Sequence, residues 1–331
     1  MTIQITIVGL DQVGASIGLG LAQQEIKFER TGVDREGEIT RRAQKLGAID
    51  RVATNLASAV READIVVLCE PPDEVRQALE IIALELKENA VVMDTSPMKV
   101  AALNWASELF PEKRHYVGLT PVINPTYVLQ FDQGLEAARA DLFQRGLFAI
   151  VAPASTSGDA LTVAANLVKA LGADALFADP YEIDGLMAAT HVLPQLMAAA
   201  LILSTVDQPG WREGRKIAGQ PFAQGTAPGV FYKSAKAARD SALLNRENVL
   251  RMLDGAISTL QDLRQDLELN DADSLEKHLE QARLAHIQWI KERMSANWAA
   301  EGMPESVATS AKNYDVMTRL FGTGWKKKDR K

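Results

Sequence analysis

Residues 8–16 (VGLDQVGAS) place two glycines five positions apart, directly after an apolar, β-branched run, Ile3–Val8. A strand that ends in a glycine turn and opens a helix presents backbone N–H groups to a phosphate. Gly9 then allows the tight turn, and Gly14 allows the helix to pack closely on the strand. The pattern predicts a dinucleotide site with contacts from Gly9, Leu10, Asp11, Gln12, Val13 and Gly14.

The second predicted strand ends in a carboxylate that suits the ribose of such a cofactor. Asp34 stands twenty residues beyond Gly14, at the end of the run Thr31–Asp34. A carboxylate there accepts hydrogen bonds from the ribose 2′-hydroxyl, which favours NAD over NADP. Arg35 follows immediately, and because a guanidinium can receive a 2′-phosphate, NADP stays possible.

One residue of the turn conflicts with phosphate binding. Asp11 occupies the position where the dinucleotide pattern has its middle glycine. Two unit negative charges about 5 Å apart at an effective dielectric of ~20 repel by roughly 3 kcal/mol. Either the Asp11 side chain turns away or a cation screens it, or the scaffold persists with weakened or lost cofactor binding.

The elements that would position these residues alternate along the first half of the chain. Strands are predicted at residues 3–8, 31–34, 63–68, 90–94, from 116, at 147–152 and at 175–177. Helical segments separate many of them, including residues 74–86 and 157–171. The alternation predicts an α/β fold, with a Rossmann-type parallel sheet domain over residues 1–180.

From Tyr181 onward the pattern predicts an all-α domain over residues 181–331. Leu186–Leu203 is almost continuously apolar, which favours a helix buried in a bundle or in a homodimer, and it is too interrupted for the membrane span that we would otherwise expect. Residues 207–232 are rich in Gly and Pro and are predicted as loop. Long helices are predicted at residues 235–269 and 272–298, with a break at Asn270 and Asp271.

Composition narrows the function classes. The 331 residues carry a net charge of −7, which disfavours nucleic acid as a partner because phosphate contact needs clustered Lys and Arg. A single Cys argues against a disulfide framework and against a Cys-based zinc site. No secretory leader or metal-ligand spacing is evident, so we expect a cytoplasmic protein without a membrane partner or metal.

Taken together, the motifs resemble the prephenate/arogenate dehydrogenase family of tyrosine biosynthesis. The resemblance follows the chain in order through the segments GLDQVGAS (9–16), GVDR (32–35), ADIVVLCEPP (63–72), DTSPMK (94–99), VGLTPVIN (117–124), GLEAARADLFQRGLFAIVAP (134–153), DGLMAATHVLPQLMAAAL (184–201) and NRE (245–247). It implies a Rossmann domain, with Pro71 also contacting the cofactor, and a helical domain that binds substrate and dimerises. It also implies a reaction in which a cyclohexadienol carboxylate loses a hydride to NAD or NADP, a proton to a base, and CO2.

This chain departs from the family at several functional positions. The family's catalytic His falls at Thr120, which cannot act as a base at neutral pH. The family's serine falls at Pro97, beside Ser96, and its second histidine of the S-H-L-P-H segment is Gln195. The departures leave open a dehydrogenase of another small substrate and a non-catalytic ligand-binding relative.

The surviving polar residues give the candidate site. His191, on the matching T-H-V-L-P segment, could replace the lost base or orient the substrate; a buried core histidine is the structural alternative. The catalytic candidates are His191, Thr120 and Ser96. The candidates for binding a carboxylate substrate are Lys99, Asn124, Gln195 and Arg246.

Overall fold

A computed structural model of the chain describes residues 2–230 and 234–296. The described part forms two compact units. The first holds Met1–Glu70, Glu74–Pro180 and the described residues from Met294 onward; the second holds Pro71–Asp73 and Tyr181–Arg293. The predicted fold class, a Rossmann-type sheet domain followed by a helical domain, is confirmed.

The first unit is built on one eight-stranded sheet of order β3-β2-β1-β4-β5-β6-β7-β8. Its strands are β1 (Ile3–Val8), β2 (Phe28–Val33), β3 (Arg51–Val52), β4 (Ile65–Leu68), β5 (Val91–Asp94), β6 (His115–Val122), β7 (Leu147–Val151) and β8 (Asp174–Phe177). The short β3 was not predicted, and β2 begins three residues before the strand predicted at residues 31–34. Every residue of β4 and β5 is buried, as expected for interior strands covered on both faces.

The helices of this unit flank the sheet strands along the chain. They are α1 (Gln12–Ala22), α2 (Gly37–Leu46), α3 (Leu56–Val60), α4 (Val75–Ile82), α5 (Lys99–Leu109) and α6 (Gly158–Ala170), with short 3-10 turns at Pro125–Tyr127 and Leu135–Ala137. The core packs the first, fourth, fifth and sixth strands against α1 and α6.

The expectation of a wholly parallel sheet is wrong at one pair. The β6 and β7 strands run antiparallel, with Thr120 opposite Ala149. Only two 3-10 turns occur between these strands among the described residues, so no crossover helix returns the chain to the same end of the sheet.

The second unit is helical, but its helices begin and end at other residues than those predicted. Its elements are α7 (Pro180–Met187), a π-helical turn (Ala188–Val192), α8 (Leu193–Val206), α9 (Trp211–Ile217), α10 (Gln220–Thr226), a 3-10 turn (Ala227–Val230), α11 (Ala235–Leu244), α12 (Arg246–Glu268) and α13 (Ala272–Ser295). The predicted loop at 207–232 is therefore wrong over two helices. Gly210, Gly219 and Pro221 mark helix starts there, where both residue types are tolerated. Residues 231–233, Trp298 and the basic tail lie outside the described residues.

A tertiary contact divides the long helix predicted at 235–269. Asn245 has a non-helical backbone (φ −117°, ψ 32°) and is buried. Its side-chain amide donates a hydrogen bond of 2.6 Å to the Asp184 carbonyl. The chain thus breaks between α11 and α12 to satisfy a contact 61 residues away, which helical periodicity cannot reveal.

The apolar segment of the second unit reaches further than expected. Pro180–Val206 is the helix, within the described part of the chain, that is long and apolar enough to cross a membrane, with a window of mean hydropathy 1.8. Thr190, His191 and Pro194 interrupt this run without lowering its mean hydropathy below that limit. Much of the segment is uncovered within one chain, with Leu186 and Leu203 more than half exposed.

Replacing Gly14 with Ala should destabilise the first unit. A Cβ at Gly14 would stand 1.9 Å from the Gly9 carbonyl oxygen, whereas one at Gly37 meets nothing within 4 Å. We expect Gly14→Ala to lower the free energy of unfolding by about 3 kcal/mol. The matched control Gly37→Ala should be neutral or stabilising by up to about 1 kcal/mol. Denaturant titration measures both, and equal effects would contradict the packing role of Gly14.

Candidate nucleotide site and surrounding polar residues

The glycine turn after β1 has no space for side chains at two points. Gly9 adopts a left-handed backbone (φ +82°), and a Cβ there would stand 2.6 Å from the Cys69 carbonyl oxygen. Its N–H donates a hydrogen bond of 3.0 Å to the Val33 carbonyl. The turn therefore holds the carboxyl ends of β1, β2 and β4 together. Three further residues of the turn were predicted to contact the dinucleotide. Leu10 is fully buried, and the Gln12 side-chain amide donates to the Ala137 carbonyl at 3.4 Å. Val13 is partly buried against the core.

Asp34 is fixed against this turn. One carboxylate oxygen accepts the Leu10 N–H at 2.8 Å, and the other accepts the Glu36 N–H at 2.9 Å. Both bonds orient an acceptor at the carboxyl edge of the sheet, where α/β folds bind ligands. The arrangement suits a ribose hydroxyl, which donates to a carboxylate.

Asp11 places a negative charge at the start of α1. Its backbone caps the helix in an extended conformation, while its side chain makes no capping hydrogen bond. Burial, with the nearby carboxylates of Glu70, Asp94 and Asp11, raises the pKa of the Cys69 thiol to about 12, although a hydrogen bond with Thr95 opposes the rise. The N-terminal end of the helix dipole stabilises negative charge, so the Asp11 carboxylate and a bound pyrophosphate would be stabilised by the same end of α1.

Further acidic residues lie at this edge that the sequence analysis did not single out. Arg35 forms a salt bridge with Glu74, the N-cap residue of α4. Burial raises the pKa of Glu70 to about 8, helped by the carboxylates of Glu74 and Asp34 and by a hydrogen bond with Glu74, while Arg35 lowers it. The position of Glu70 in the sequence could have indicated that it lies at this edge, because it closely follows β4 as Asp34 follows β2.

A buried polar network follows β5. The Ser96 hydroxyl and the Tyr116 hydroxyl both donate to the same oxygen of Asp94, the latter at 2.8 Å. Lys99 is fully buried, and its ammonium donates to the carbonyls of Asp94, Ser96 and Leu119. The structure thus commits Ser96 and Lys99 to contacts within the protein that tie β5 to β6.

Unlike Ser96 and Lys99, Thr120, at the family's histidine position, makes no side-chain hydrogen bond to the described residues. The residue is 8% exposed, and its hydroxyl oxygen has no hydrogen-bond partner among the described residues. A buried hydroxyl without a partner costs about 1–3 kcal/mol, so it marks a candidate ligand contact. Nearby Asn124 instead caps a 3-10 turn: it accepts the Thr126 N–H at 3.1 Å and donates to the Asp141 carbonyl at 3.2 Å.

In the second unit, His191 lies in the π-helical turn Ala188–Val192. Such turns within helices frequently occur at functional sites. Burial lowers the pKa of His191 below its usual 6.5, so the ring is neutral at pH 7. Thr190, which the sequence analysis missed, lies 3.0 Å from the ring Nδ1 and donates its hydroxyl to the Leu186 carbonyl at 2.8 Å.

The remaining predicted residues also fall in the second unit. Gln195 is half-buried on α8, and Arg246 is exposed at the start of α12. Pro71 is half-buried and belongs to the short stretch Pro71–Asp73. Their predicted roles stay predictions. No group of His, Cys, Asp or Glu suited to a metal ion occurs among residues 2–230 and 234–296.

Sequence comparison gives the chain's relatives. Residues 17–176 match the family "Prephenate dehydrogenase, nucleotide-binding domain", and residues 179–281 match "Prephenate dehydrogenase, dimerization domain". The chain is 25% identical over 287 residues to the prephenate dehydrogenase of Bacillus subtilis, covering 84% of this chain and 74% of that protein. Against the cyclohexadienyl dehydrogenase of Zymomonas mobilis it is 25% identical over 287 residues, covering 86% and 94%.

Solved structures share the fold. Prephenate dehydrogenase from A. aeolicus, in complex with hydroxyphenyl propionate and NAD+, aligns with a TM-score of 0.76 at 21% identity, covering 86% of this chain and 98% of that one. Synechocystis arogenate dehydrogenase aligns with a TM-score of 0.67 at 21% identity, covering 87% and 100%. The nucleotide-binding match agrees with the cofactor class predicted from the glycine turn.

Glu70 should make the stability of the fold depend on pH. Below pH 4.5 the carboxyl is protonated in both the folded and the unfolded chain; towards pH 8 the unfolded chain loses this proton first. Folding stability therefore falls as pH rises between these values, by on the order of 2 kcal/mol or more. Glu70→Gln keeps a neutral donor and should remove this decline.

Denaturant titrations at pH 5, 6, 7 and 8 measure the effect as the difference between wild type and variant. Glu80→Gln is the matched control, because Glu80 is exposed on α4 and pairs with Arg76. Parallel curves for wild type and Glu70→Gln would show that Glu70 ionises normally.

Proposed function

The chain belongs to the prephenate dehydrogenase family, and on that premise we propose that it is an NAD-dependent oxidoreductase acting on a cyclohexadienol carboxylate such as prephenate or arogenate. Its relatives by sequence are a prephenate dehydrogenase and a cyclohexadienyl dehydrogenase. In the proposed reaction the substrate carbinol carbon gives up a hydride, the hydroxyl gives up a proton, and the ring loses CO2 and becomes aromatic.

The observation that carries the proposal is the position of Asp34 on the glycine turn. Its carboxylate accepts the Leu10 N–H at 2.8 Å, beside a Gly9 that no other residue could replace without strain. When bound, NAD supplies the hydride acceptor. The turn Gly9–Gly14 would hold its pyrophosphate and Asp34 its ribose, with Asp11 weakening the phosphate contact and the N-terminus of α1 opposing that loss.

We assign the proton-accepting role to His191. A threonine hydroxyl has one hydrogen, and Thr190 gives it to the Leu186 carbonyl at 2.8 Å. The same oxygen, 3.0 Å from the ring, therefore accepts from Nδ1–H, which places the lone pair of the neutral imidazole on Nε2. Thr190 is thus a positioning residue that fixes the tautomer a general base needs.

The other predicted residues divide into contact and positioning roles. The Thr120 hydroxyl is a donor for a substrate oxygen, since it is buried without a partner among the described residues. Arg246 supplies a cation for a carboxylate and Gln195 a neutral hydrogen-bonding group. Because Ser96, Lys99 and Asn124 are engaged within the protein, we propose that they shape the ends of β5 and β6 rather than bind substrate directly.

A second candidate function keeps the cofactor and changes the substrate. The observation that favours it is Thr120, which cannot accept a proton as the family's histidine would. A dehydrogenase of another small hydroxy or imino compound fits the same nucleotide site. A non-catalytic relative would follow if Asp11 prevents cofactor binding.

We also propose a cytoplasmic homodimer assembled through the helical domain. Residues 179–281 match a dimerization domain, and the apolar segment Pro180–Val206 leaves large side chains exposed in the single chain. A second copy of this chain would remove that surface from water, which is favourable by roughly 25 cal/mol per Å2 of apolar area.

The enzymatic proposal predicts NAD reduction that depends on prephenate or arogenate and on His191. His191→Asn should lower kcat by roughly 10²–10⁴-fold, the range of general-base catalysis. The acid limb of the wild-type kcat/KM profile should fall below pH 6.5, since burial lowers the pKa of His191. His286→Asn is the matched control, because His286 is exposed on α13.

Absorbance at the reduced nicotinamide band measures these rates with folded protein. Absence of turnover with both substrates, despite NAD binding, would contradict the substrate and favour the second candidate. Equal rates for His191→Asn and His286→Asn would remove His191 from the mechanism.

The assembly proposal predicts a single species of twice the 36.0 kDa chain mass in light scattering after size exclusion. Replacing the exposed Leu203 with Glu should weaken that dimer, because a charge would enter an apolar interface. Leu84→Glu is the control, since Leu84 is 83% exposed and lies in the sheet unit. A species of one chain mass at micromolar concentration would contradict the dimer.

A further inference from the structure

The residue best placed to admit a 2′-phosphate is already paired with an acid. Arg35 directly follows Asp34, whose carboxylate is fixed on the glycine turn. Its guanidinium forms a salt bridge with Glu74; the Arg35 side chain is 70% exposed and that of Glu74 only 18%. On its own, the exposed Arg35 side chain could rotate to contact a 2′-phosphate. Whether it does so therefore depends on its ion pair with the half-buried Glu74.

Glu74 is held in place from two sides. It is the N-cap residue of α4, and the helix dipole favours a carboxylate at that end. It also hydrogen-bonds to Glu70, whose pKa of about 8 keeps that carboxyl protonated and able to donate at neutral pH. Removing Arg35 from Glu74 would leave a largely buried carboxylate near Asp34 without its counter-charge, which is unfavourable.

The charges at this edge therefore suit a ribose with a free 2′-hydroxyl. Asp34 and Glu74 are anionic, Arg35 is cationic, and Glu70 is neutral at pH 7, so the group carries a net negative charge. A 2′-hydroxyl adds no charge and donates to Asp34. A 2′-phosphate adds further negative charge and finds the adjacent Arg35 guanidinium engaged with Glu74.

We propose that Glu74 is a specificity-determining residue that excludes NADP by holding the Arg35 guanidinium in an ion pair. The inference rests on the proposed NAD-dependent function and deepens it, because it names the cofactor form and the residue that selects it. Arg35, which from the sequence left NADP possible beside the favoured NAD, becomes an NADP-binding group only when Glu74 loses its charge.

Calorimetric titration of the full-length protein with NAD and with NADP tests this. Wild type should prefer NAD. Glu74→Gln should tighten NADP binding by roughly tenfold, the scale of one new charge-assisted contact. NAD affinity should change by less than about threefold, because the exposed Arg35 that the substitution releases has no 2′-phosphate to contact in NAD. The double variant Glu74→Gln/Arg35→Ala should lose the gain, and the control Glu80→Gln should change neither affinity.

The outcomes separate the two proposals. Wild type that binds NAD, with no NADP gain in Glu74→Gln, overturns the role of Glu74 and leaves the proposed function standing. A gain that persists in the double variant overturns it too, because the effect would then come from charge removal and not from Arg35. Wild type that binds neither dinucleotide overturns both the cofactor proposal and this inference.

Arg35→Ala alone keeps the test decisive if Glu74→Gln fails to fold. Arg35 is exposed, so this variant should fold, and thermal unfolding checks that it does. Because the substitution removes a positive charge from the whole edge, it should weaken NAD and NADP binding by similar factors, within about threefold of each other. A loss for NADP severalfold greater than the loss for NAD would mean that Arg35 already contacts the 2′-phosphate, and the proposal would fall.

Discussion

The first unit depends on one steric constraint, the closeness of three backbone segments where β1 ends. Gly9 lies against the Cys69 carbonyl and Gly14 against the Gly9 carbonyl, so neither position has room for a Cβ. Because β1 lies between β2 and β4, this contact also sets the positions of Asp34 and Glu70, which follow those strands. The geometry of the nucleotide edge is therefore a consequence of backbone packing more than of any side chain.

Electrostatics then decide what that edge can bind. Carboxylates of Asp11, Asp34 and Glu74 lie there with the cation Arg35, and Glu70, whose pKa is raised to about 8, adds no further charge at pH 7. Carboxylates accept hydrogen bonds from hydroxyl groups but repel phosphates. Such an edge favours the ribose end of a dinucleotide, tolerates a pyrophosphate only with help from the dipole of α1, and disfavours an additional phosphate.

The helical unit uses irregular backbone where the chemistry is proposed. His191 lies in a π-helical turn, and the Thr190 hydroxyl oxygen lies 3.0 Å from its ring Nδ1. The break at Asn245 is another irregularity, set by its hydrogen bond to the Asp184 carbonyl. Both features sacrifice regular helix geometry for a particular side-chain placement, and the dimerization-domain match covers both.

The sequence by itself determined the class of the fold and the nucleotide edge, because strand periodicity, glycine spacing and the position of Asp34 are local properties. It also carried the family resemblance, which rests on the order of its motifs. Only the tertiary structure decided the antiparallel β6–β7 pair, the helices within residues 207–232 and the division at Asn245, since each depends on contacts between residues far apart in the chain. The same holds for the site: burial turned Lys99 inward, left the Thr120 hydroxyl without a partner among the described residues, and joined Arg35 to Glu74, 39 residues away. Residue type fixes what a group can do, but its partners and its exposure fix what it does.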